Sequence, residues 1–528
     1  MSDARERAPR PAPGAVPVAV ARRLADLEKA QVPRRIWARD PTVWKDDPAT
    51  PEIRDRLGWL SVSDSMTEQA PVLAAFAAEI RASYDRVVLC GMGGSSLAAL
   101  VLAASVGAAP GYPALVVLDS TDPRAVAAVA HGGEIARTLF LIASKSGTTL
   151  ESDCFFRYFW EVAGAHGPQF AAITDPGTPL AALGRARGFR RVFLNPPDIG
   201  GRYAALSYFG LVPAALLGID VGELLRRARH ARAACGPDVP AEANPGARLG
   251  AMLATAALEG RDKLTFAPSR GLASFGLWAE QLVAESTGKE GRGVLPVVGE
   301  PLGPPDVYGP DRIFVSLTLA GEDDPARDAG LAALEQAGHP VVRLRLADPY
   351  ELGGEFFRWE FATATLGAFL RVNPFDQPNV AESKANTDRV LASREAPAPV
   401  ANAAELGRFL ATLKPPGYLA LMAYVPPTAA ADRRLALIQG RLRDRLRVAT
   451  TLGYGPRLLH STGQFHKGGP PVGSFLQITE PGGPDVSIPG RAFTFGALAA
   501  AQAEGDLRAH SARGRPVLRI ERLELLGG

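Results

Sequence analysis

The sequence predicts an α/β protein built around a parallel, doubly wound sheet. Five short apolar segments recur between residues 86 and 194, and none of them alternates polar with apolar residues. Strands buried on both faces have this pattern, and helix-like segments between consecutive strands indicate parallel pairing. Most gaps hold such a segment, as at residues 95–106 and 122–130. The predicted strands are Arg86–Cys90, Ala114–Leu118, Thr138–Ala143, Phe170–Thr174 and Arg191–Leu194.

A less regular alternation of predicted strands and helices follows, and a third region begins near residue 396. Strands are predicted at residues 262–267, 313–319 and 340–346, with helices between and beside them. The third region mixes strands with one long helix at Asp432–Thr450, which indicates an α+β class. We therefore expect an N-terminal tail with peripheral helices at residues 1–80, two parallel α/β subdomains at 81–240 and 241–395, and a C-terminal α+β extension at 396–528.

The composition excludes several classes of function. The chain of 528 residues has 58 Lys and Arg against 55 Asp and Glu, and no long basic block is interleaved with aromatic residues, so we expect no nucleic acid partner. The N-terminal segment lacks the apolar core of a signal peptide, and no apolar run is long enough to span a bilayer. With three scattered cysteines, these features predict a cytoplasmic protein without disulfides or a membrane partner.

Small hydroxyl-bearing residues follow two of the predicted strands. Gly91–Ser96 comes directly after the first strand, and Ser144–Thr149 follows the third. A helix N-terminus offers free N–H groups to an anion, serine and threonine add neutral donors, and glycine lets the backbone approach a ligand. An N-cap explains one hydroxyl but not the four of the second segment. The phosphate of a small molecule is the expected ligand. The candidate residues are Ser95, Ser144, Lys145, Ser146, Thr148 and Thr149.

Three further segments have both a functional and an ordinary interpretation. Arg202 after Gly200-Gly201 can approach an anionic ligand, although an arginine in a turn is usually solvated. Glu285–Lys289 can be a simple helix end, with a glycine stop and a lysine that complements the helix dipole. Gln377–Lys384 begins a helix after a turn, and its lysine alone would be read as a surface residue.

Taken in order, these five segments resemble the signature segments of the phosphoglucose isomerase family, which has the sugar isomerase fold. The matches are Gly91–Ser95 to G-x-G-G-S, Ser144–Thr149 to S-K-[ST]-G-T-T, Gly200–Arg202 to G-G-R, Glu285–Lys289 to E-S-x-G-K, and Gln377–Lys384 to Q-x-x-V-E-x-G-K. The resemblance spans roughly residues 85–390, and the two α/β subdomains would be sugar isomerase subdomains. Other segments, such as the one at residues 450–471, resemble the isomerase halves of bifunctional transaldolase–phosphoglucose isomerase proteins.

The resemblance implies a reaction and a role for each candidate residue. The family interconverts an aldose 6-phosphate and a ketose 6-phosphate through an enediolate, without a metal or organic cofactor. Glu285 would move the proton between adjacent carbons, and Arg202 would stabilise the enediolate. The hydroxyl residues would hold the phosphate, with Lys145 facing the sugar, and Gln377 would contact the phosphate or the ring. Lys384 would help to open the cyclic sugar, and a homodimer is expected.

The match departs from the family at the residues that open the ring. The family places a histidine after a G-E-P segment, but no histidine follows Gly299–Pro301 up to residue 319. Ala381 and Ser383 stand where glutamate and glycine are usual. We therefore consider His460 or His466 as the missing proton donor, with the alternatives that their segment is a surface loop or a subunit contact, or that Lys384 acts alone.

Two other functions stay open at this point. A dual phosphoglucose/phosphomannose isomerase would share the base and the phosphate loop with a phosphoglucose isomerase, so the sequence does not distinguish the two. A sugar-phosphate sensor with the same fold would keep the hydroxyl loop but lose the base. Because Glu285, Arg202 and Lys384 are all present, an enzyme is favoured over a sensor.

Overall fold

The computed structural model describes residues 15–392, 397–480 and 482–526, with the side chains of residues 15–17 and 380–384 outside that description. Its strands form three sheets, and every pairing within the sheets is parallel. Within the described ranges, every helix is too short or too polar to cross a bilayer. The strands are β1 Arg86–Cys90, β2 Ala114–Leu118, β3 Thr138–Ala143, β4 Phe170–Thr174, β5 Arg191–Leu194, β6 Lys263–Phe266, β7 Leu295–Val297, β8 Arg312–Leu319, β9 Val341–Leu346, β10 Tyr418–Tyr424, β11 Ala449–Tyr454, β12 Gly473–Thr479 and β13 Val517–Ile520.

Helices connect the strands and cover the sheets. They are α1 Ala15–Lys29, α2 Val32–Trp37, α3 Val62–Arg81, α4 Leu97–Ser105, α5 Pro123–His131, α6 Leu150–Val162, α7 Pro179–Ala186, α8 Tyr208–Leu216, α9 Val221–Ala234, α10 Pro245–Leu258, α11 Phe275–Thr287, α12 Pro325–Gln336, α13 Leu352–Leu370, α14 Val380–Ala392, α15 Ala403–Ala411, α16 Ala429–Leu446, α17 Gly463–Gly468 and α18 Phe495–Ala512.

The first sheet confirms the predicted α/β class. Its order is β2-β1-β3-β4-β5, and all five strands have the predicted bounds. Successive residues of each central strand face different cores: Val87 and Leu89 belong to one hydrophobic cluster, and Val88 and Cys90 belong to another on the opposite face. Helices therefore cover both faces, which explains why the strands lack polar alternation.

The second sheet has the order β7-β6-β8-β9. Three of its strands match the predicted segments to within a residue at each end. The sequence analysis misses β7, because a three-residue strand with Pro296 at its centre has no strand signature of its own. Only tertiary pairing with β6 makes it a strand.

The third sheet corrects the prediction of a C-terminal α+β region. Its order is β11-β10-β12-β13, all parallel, with helices between the strands, so this region is α/β like the other two. The predicted helix at Asp432–Thr450 is also too long. Arg447 adopts a left-handed conformation with φ of 56° that ends α16, and the missed strand β11 begins at Ala449, followed by the β-branched Thr450 and Thr451.

The segment before the first sheet packs into the core rather than lying at the periphery. Trp44 and Trp59 are buried. The indole N–H of Trp44 donates to the Ala364 carbonyl at 2.8 Å, and its ring lies edge-on to Phe375, with centroids 5.0 Å apart. The Trp59 ring lies 5.4 Å from that of Tyr203. These aromatic contacts bring the N-terminal segment beside two of the five signature segments.

Buried charges join the third sheet to the second. Glu300, directly after β7, accepts at 3.0 Å from Arg312 on β8, and its carboxylate lies 3.6 Å from Arg443 of α16. The backbone N–H of Thr450 donates to the same carboxylate at 3.1 Å. The side chains of Glu300 and Arg312 are fully buried, and that of Arg443 is 3% exposed. The Glu300 carboxylate therefore pairs with Arg312 and lies near Arg443, whose second partner is the Asp444 carboxylate at 2.6 Å.

We expect Glu300→Ala to destabilise the protein by about 3–5 kcal/mol, because it leaves Arg312 buried without its counter-charge and removes one of the two carboxylates beside Arg443. Urea denaturation followed by circular dichroism measures the change. Glu524→Ala is the matched control: its pair with Arg434 is solvent-exposed, and its loss should leave the curve unchanged. A Glu300→Ala curve that overlays the wild-type curve would contradict this account of the junction.

Candidate active site

The first and third signature segments pack backbone against backbone. Gly94 follows β1, and a Cβ at this position would lie 2.1 Å from the Gly201 carbonyl oxygen and 3.0 Å from the Arg202 nitrogen. No side chain fits in that space. Gly94 therefore allows the loops after β1 and β5 to approach closely at the carboxyl edge of the first sheet, where α/β proteins bind ligands.

The second signature segment presents its hydroxyls to one another. The Ser144 and Thr149 hydroxyl oxygens are 2.8 Å apart, and those of Ser146 and Thr148 are 2.9 Å apart. Thr149 is the N-cap of α6, but its side chain makes no capping bond. Its hydroxyl bonds to Ser144 instead, so the N-terminus of α6 keeps its N–H groups for an anion, as a phosphate site requires. Ser95 lies buried in the turn after β1.

The Lys145 side chain is held in place by contacts with two neighbouring loops. Its ammonium forms an ion pair with Asp175, at the end of β4, and donates to the Pro197 carbonyl at 3.2 Å. Burial raises the pKa of Asp175, and the charge of Lys145 opposes that shift. The lysine thus ties the loops after β3, β4 and β5 together.

Arg202 is the centre of the site and is 2% exposed. Its Nε donates to the Ser286 hydroxyl at 2.8 Å, and its Nη1 donates to the Gln377 amide oxygen at 2.8 Å. Its Nη2 donates to the carbonyls of Pro374 and Asp376 at 2.6 and 2.9 Å. The third, fourth and fifth signature segments therefore meet at one guanidinium.

Glu285 lies beside this guanidinium on α11. Its Oε2 is 3.6 Å from Arg202 Nη1 and accepts a hydrogen bond of 3.0 Å from Gln281 Nε2, one turn earlier on the helix. The carboxylate is 9% exposed. The resemblance did not include Gln281, and its i,i+4 spacing to Glu285 is the signal that would have found it.

The segment Arg457–Gly469 of the third region closes the site, and we call it the closing segment. A Cβ on Gly93 would lie 2.7 Å from the His460 carbonyl and 2.9 Å from Gln281 Nε2, so His460 adjoins the first signature segment on the side of Gln281. A Cβ on Gly288 would lie 2.4 Å from Phe465 Cα. Arg457 anchors the segment to Asp119, after β2, through two bonds of 2.6 and 2.8 Å.

His460 is paired with a glutamate that the sequence analysis did not single out. His460 Nε2 lies 3.0 Å from Glu151 Oε1, in the first turn of α6. The same carboxylate oxygen accepts from Gln502 Nε2 at 2.8 Å, and Thr121 donates to the Gln502 amide oxygen at 2.6 Å. Glu151 comes two residues after Thr149, which places this pair next to the hydroxyl loop.

The other candidates are placed differently. His466 is 2% exposed, shares a hydrogen bond of 3.0 Å with the Tyr418 hydroxyl, and packs against Phe475 and His510 within the third region. Burial holds the pKa of His466 well below its usual range. The structure therefore places His460 at the site and His466 in a core. Lys384 lies within α14, but its side chain is outside the described residues.

A loop of hydroxyls after β3 and a buried carboxylate–guanidinium pair next to the loop after β5, both at the carboxyl edge of one parallel sheet, suit a sugar-phosphate isomerase of the α/β class. Comparison with known proteins is consistent with that class. A family model described as phosphoglucose isomerase matches residues 74–292. A probable glucose-6-phosphate isomerase of Haloarcula marismortui is 30% identical over 353 residues, which are 60% of this chain and 80% of that protein. The chain belongs to the phosphoglucose isomerase family.

Further relatives and solved structures agree. The glucose-6-phosphate isomerase of Symbiobacterium thermophilum is 29% identical over 392 residues, covering 63% of this chain and 86% of that protein. A hypothetical protein from Thermus thermophilus aligns with a TM-score of 0.62 at 27% identity, covering 72% of this chain and 97% of that one. A glucose-6-phosphate isomerase from Chlamydia trachomatis has a TM-score of 0.58 at 20% identity, covering 71% and 86%, and supports the fold alone. The likeness to the fused transaldolase proteins stays a prediction.

We expect Gly288→Ala to lower the rate of isomerisation by about 100-fold, because its Cβ would displace Phe465 and with it the closing segment, and small misplacements at an active site cost about that much. Steady-state kinetics on fructose 6-phosphate measures the effect. Gly407→Ala is the matched control, since nothing lies within 4 Å of a Cβ at that position of α15. Full activity in Gly288→Ala would mean that the closing segment is not part of the site.

Proposed function

We propose that this chain interconverts glucose 6-phosphate and fructose 6-phosphate, with Glu285 as the base that moves the proton. The observation that supports this most directly is the buried pair of Glu285 and Arg202, which share the site with a loop of four hydroxyls. A base and a cation at this separation suit a reaction that removes a proton and creates charge on oxygen.

Binding begins with the phosphate. The hydroxyls of Ser144, Ser146, Thr148 and Thr149, the turn at Ser95 and the N-terminus of α6 would receive its oxygens. A fixed phosphate holds the opened sugar in one orientation relative to Glu285, which converts proton removal into an intramolecular step. Lys145 contributes by tying the loops together through Asp175, and its charge adds to the positive field at the phosphate.

The chemical step transfers one proton between adjacent carbons. Glu285 takes the proton from C2 of the open aldose and returns it to C1, while a second proton passes from the C2 hydroxyl to the C1 oxygen. The enediolate that forms in between carries negative charge, and Arg202 stabilises it at close range in a water-poor site. Gln281 orients the carboxylate, and Gln377 is held by Arg202 on the other side.

We further propose that His460 opens the cyclic sugar. Glu151 holds Nε2, and we assign the other ring nitrogen, Nδ1, for which the described residues show no hydrogen bond, to exchange a proton with the ring oxygen or the C1 hydroxyl. A carboxylate that fixes the orientation and tautomer of an imidazole is a common arrangement for general acid–base work. Lys384 stays a second candidate for this step, from the family resemblance alone.

In this proposal the site residues all come from one chain, with the closing segment supplying His460. A homodimer, a cytoplasmic location and action on mannose 6-phosphate remain proposals from the resemblance. The buried, unpaired thiols of Cys90, Cys154 and Cys235 fit a reducing compartment. A non-catalytic sensor is disfavoured, since ligand binding alone does not require Glu285 to be buried beside Arg202.

We expect Glu285→Gln to reduce turnover of fructose 6-phosphate at least about 1,000-fold, with little change in substrate affinity, because the amide keeps the shape but does not accept the proton. A coupled assay for glucose 6-phosphate measures turnover, and mannose 6-phosphate is run beside it to settle the epimer question. Glu290→Gln, which alters an exposed ion pair with Lys45, is the control. Binding without turnover in the wild type would make the chain a sensor.

We expect His460→Ala to slow conversion of the cyclic sugar about 100-fold, while an open-chain substrate analogue is converted at close to the wild-type rate. The difference between the two substrates separates ring opening from isomerisation. His131→Ala on α5, an exposed histidine, is the control. Equal effects on both substrates would assign His460 to site architecture rather than to ring opening, and no effect would remove it from the mechanism.

A further inference from the structure

Lys289, the last residue of the fourth signature segment, is buried rather than solvated. The ordinary interpretation of a lysine just beyond α11 places it at the surface, where it complements the helix dipole, but its side chain is 3% exposed. Its ammonium donates to the Asp376 carbonyl at 2.6 Å and to the Asp376 carboxylate at 2.5 Å. It also donates to the Asn373 carbonyl. Three acceptors match the three N–H donors of the ammonium, so the buried charge is held in one position.

All three acceptors belong to the turn 373–377, which joins α13 to α14. This turn is also the one that receives Arg202, through the carbonyls of Pro374 and Asp376. The Asp376 carbonyl therefore accepts from two cations at once, from Lys289 at 2.6 Å and from Arg202 at 2.9 Å. Two buried cations thus fix the path of a backbone segment that belongs to neither a helix nor a strand.

The same turn ends in Gln377, whose amide oxygen accepts from Arg202 Nη1 at 2.8 Å. That nitrogen lies 3.6 Å from Glu285 Oε2. A continuous set of contacts therefore runs from Lys289 through the turn to Arg202 and Gln377, and from there to the carboxylate. Lys289 lies four residues after Glu285 in the sequence. Its ammonium bonds to the turn 373–377, and this turn bonds to Arg202, which lies beside the Glu285 carboxylate.

We propose that Lys289 is a positioning residue for the isomerase reaction: it holds the turn 373–377 so that Arg202 and Gln377 stay fixed around Glu285. The inference rests on the proposed function, because it assigns Lys289 a part in the same site. Lys289 itself would not touch the substrate. Its effect would be on the rate of proton transfer and not on the phosphate cradle, which is built by other loops.

The charge of Lys289 is sensitive to pH. Burial and the nearby Arg202 lower the pKa of Lys289 to about 7, while Asp376 and Glu285 oppose that shift. A neutral amine has only two N–H donors, so loss of the proton above neutral pH would leave one of the three acceptors of the turn without its bond. The turn would then loosen, and the turnover rate would fall on the alkaline side.

The first test is Lys289→Met, which keeps the length of the side chain and removes the ammonium. We expect kcat to fall about 100-fold while KM for fructose 6-phosphate changes less than about threefold, since the turn moves and the cradle does not. Lys45→Met is the matched control: that lysine also donates to a backbone carbonyl, that of Arg371 at 3.1 Å, but lies on the surface and does not reach the turn.

The second test is the pH dependence of kcat in Asp376→Asn, which keeps both backbone carbonyls and removes the charge that favours the ammonium. Because Asp376 raises the pKa of Lys289, its loss should move the alkaline fall of kcat to lower pH. In Lys289→Met the fall should be absent. These profiles distinguish positioning from a general loss of folding, which would lower activity equally at every pH.

The outcomes separate the inference from the proposed function. An active wild type with normal kcat in Lys289→Met, or an alkaline limb that does not move in Asp376→Asn, overturns the role of Lys289 and leaves the isomerase assignment intact. If Lys289→Met does not fold, the Asp376→Asn profile decides alone. A wild type without turnover overturns the proposed function, and the positioning role falls with it.

Discussion

The site depends on satisfying a single buried guanidinium. Arg202 is 2% exposed, and each donor that stays unpaired at such a position costs about 1–3 kcal/mol. The acceptors of its described hydrogen bonds lie outside the loop after β5: the hydroxyl of Ser286 and the turn 373–377 supply them. That requirement brings together segments that lie up to 175 residues apart in the sequence. The hydrogen bond from Arg202 fixes Ser286, and this fixes the position of Glu285, the preceding residue on α11.

The third region packs against the site that Arg202 organises. Gly93 and Gly288 leave no room for a Cβ because the closing segment packs directly on them. Gln464 of that segment donates to the Gly288 carbonyl at 3.0 Å and accepts from the Asn379 backbone at 2.9 Å, so it joins the fourth and fifth signature segments from outside. The region after residue 396 is therefore a wall of the site as well as an α/β unit, and the ion cluster at Glu300 keeps it in place.

Sequence alone predicted what depends on local pattern. The five strands of the first sheet follow from unbroken apolar runs, and the hydroxyl loop follows from four hydroxyls where one would suffice as a cap. The site residues that the sequence did not reveal depend on contacts with partners far away in the chain. Glu151 looks like an ordinary first-turn acid of α6, and its partner His460 is 309 residues away. Lys289 looks like a helix-end lysine until the turn at residue 376 encloses it. The third sheet was misjudged because β11 follows α16 without a turn residue that would mark the change.

The loops that follow the three parallel sheets also favour the first sheet for the proposed phosphate cradle. In each sheet two strands flank the point where the strand order reverses, which is where α/β proteins bind ligands. After β1 and β3, glycine, serine and threonine leave backbone N–H groups and hydroxyls for an anion. After β6 and β10 the chain continues with Pro268 and with Pro426-Pro427, which have no N–H to donate. After β8 and β12 it continues with Glu322–Asp324 and with Glu480, which repel a phosphate. One architecture is thus used three times, and among the described loops the chemistry of those after β1 and β3 suits the proposed sugar-phosphate site best.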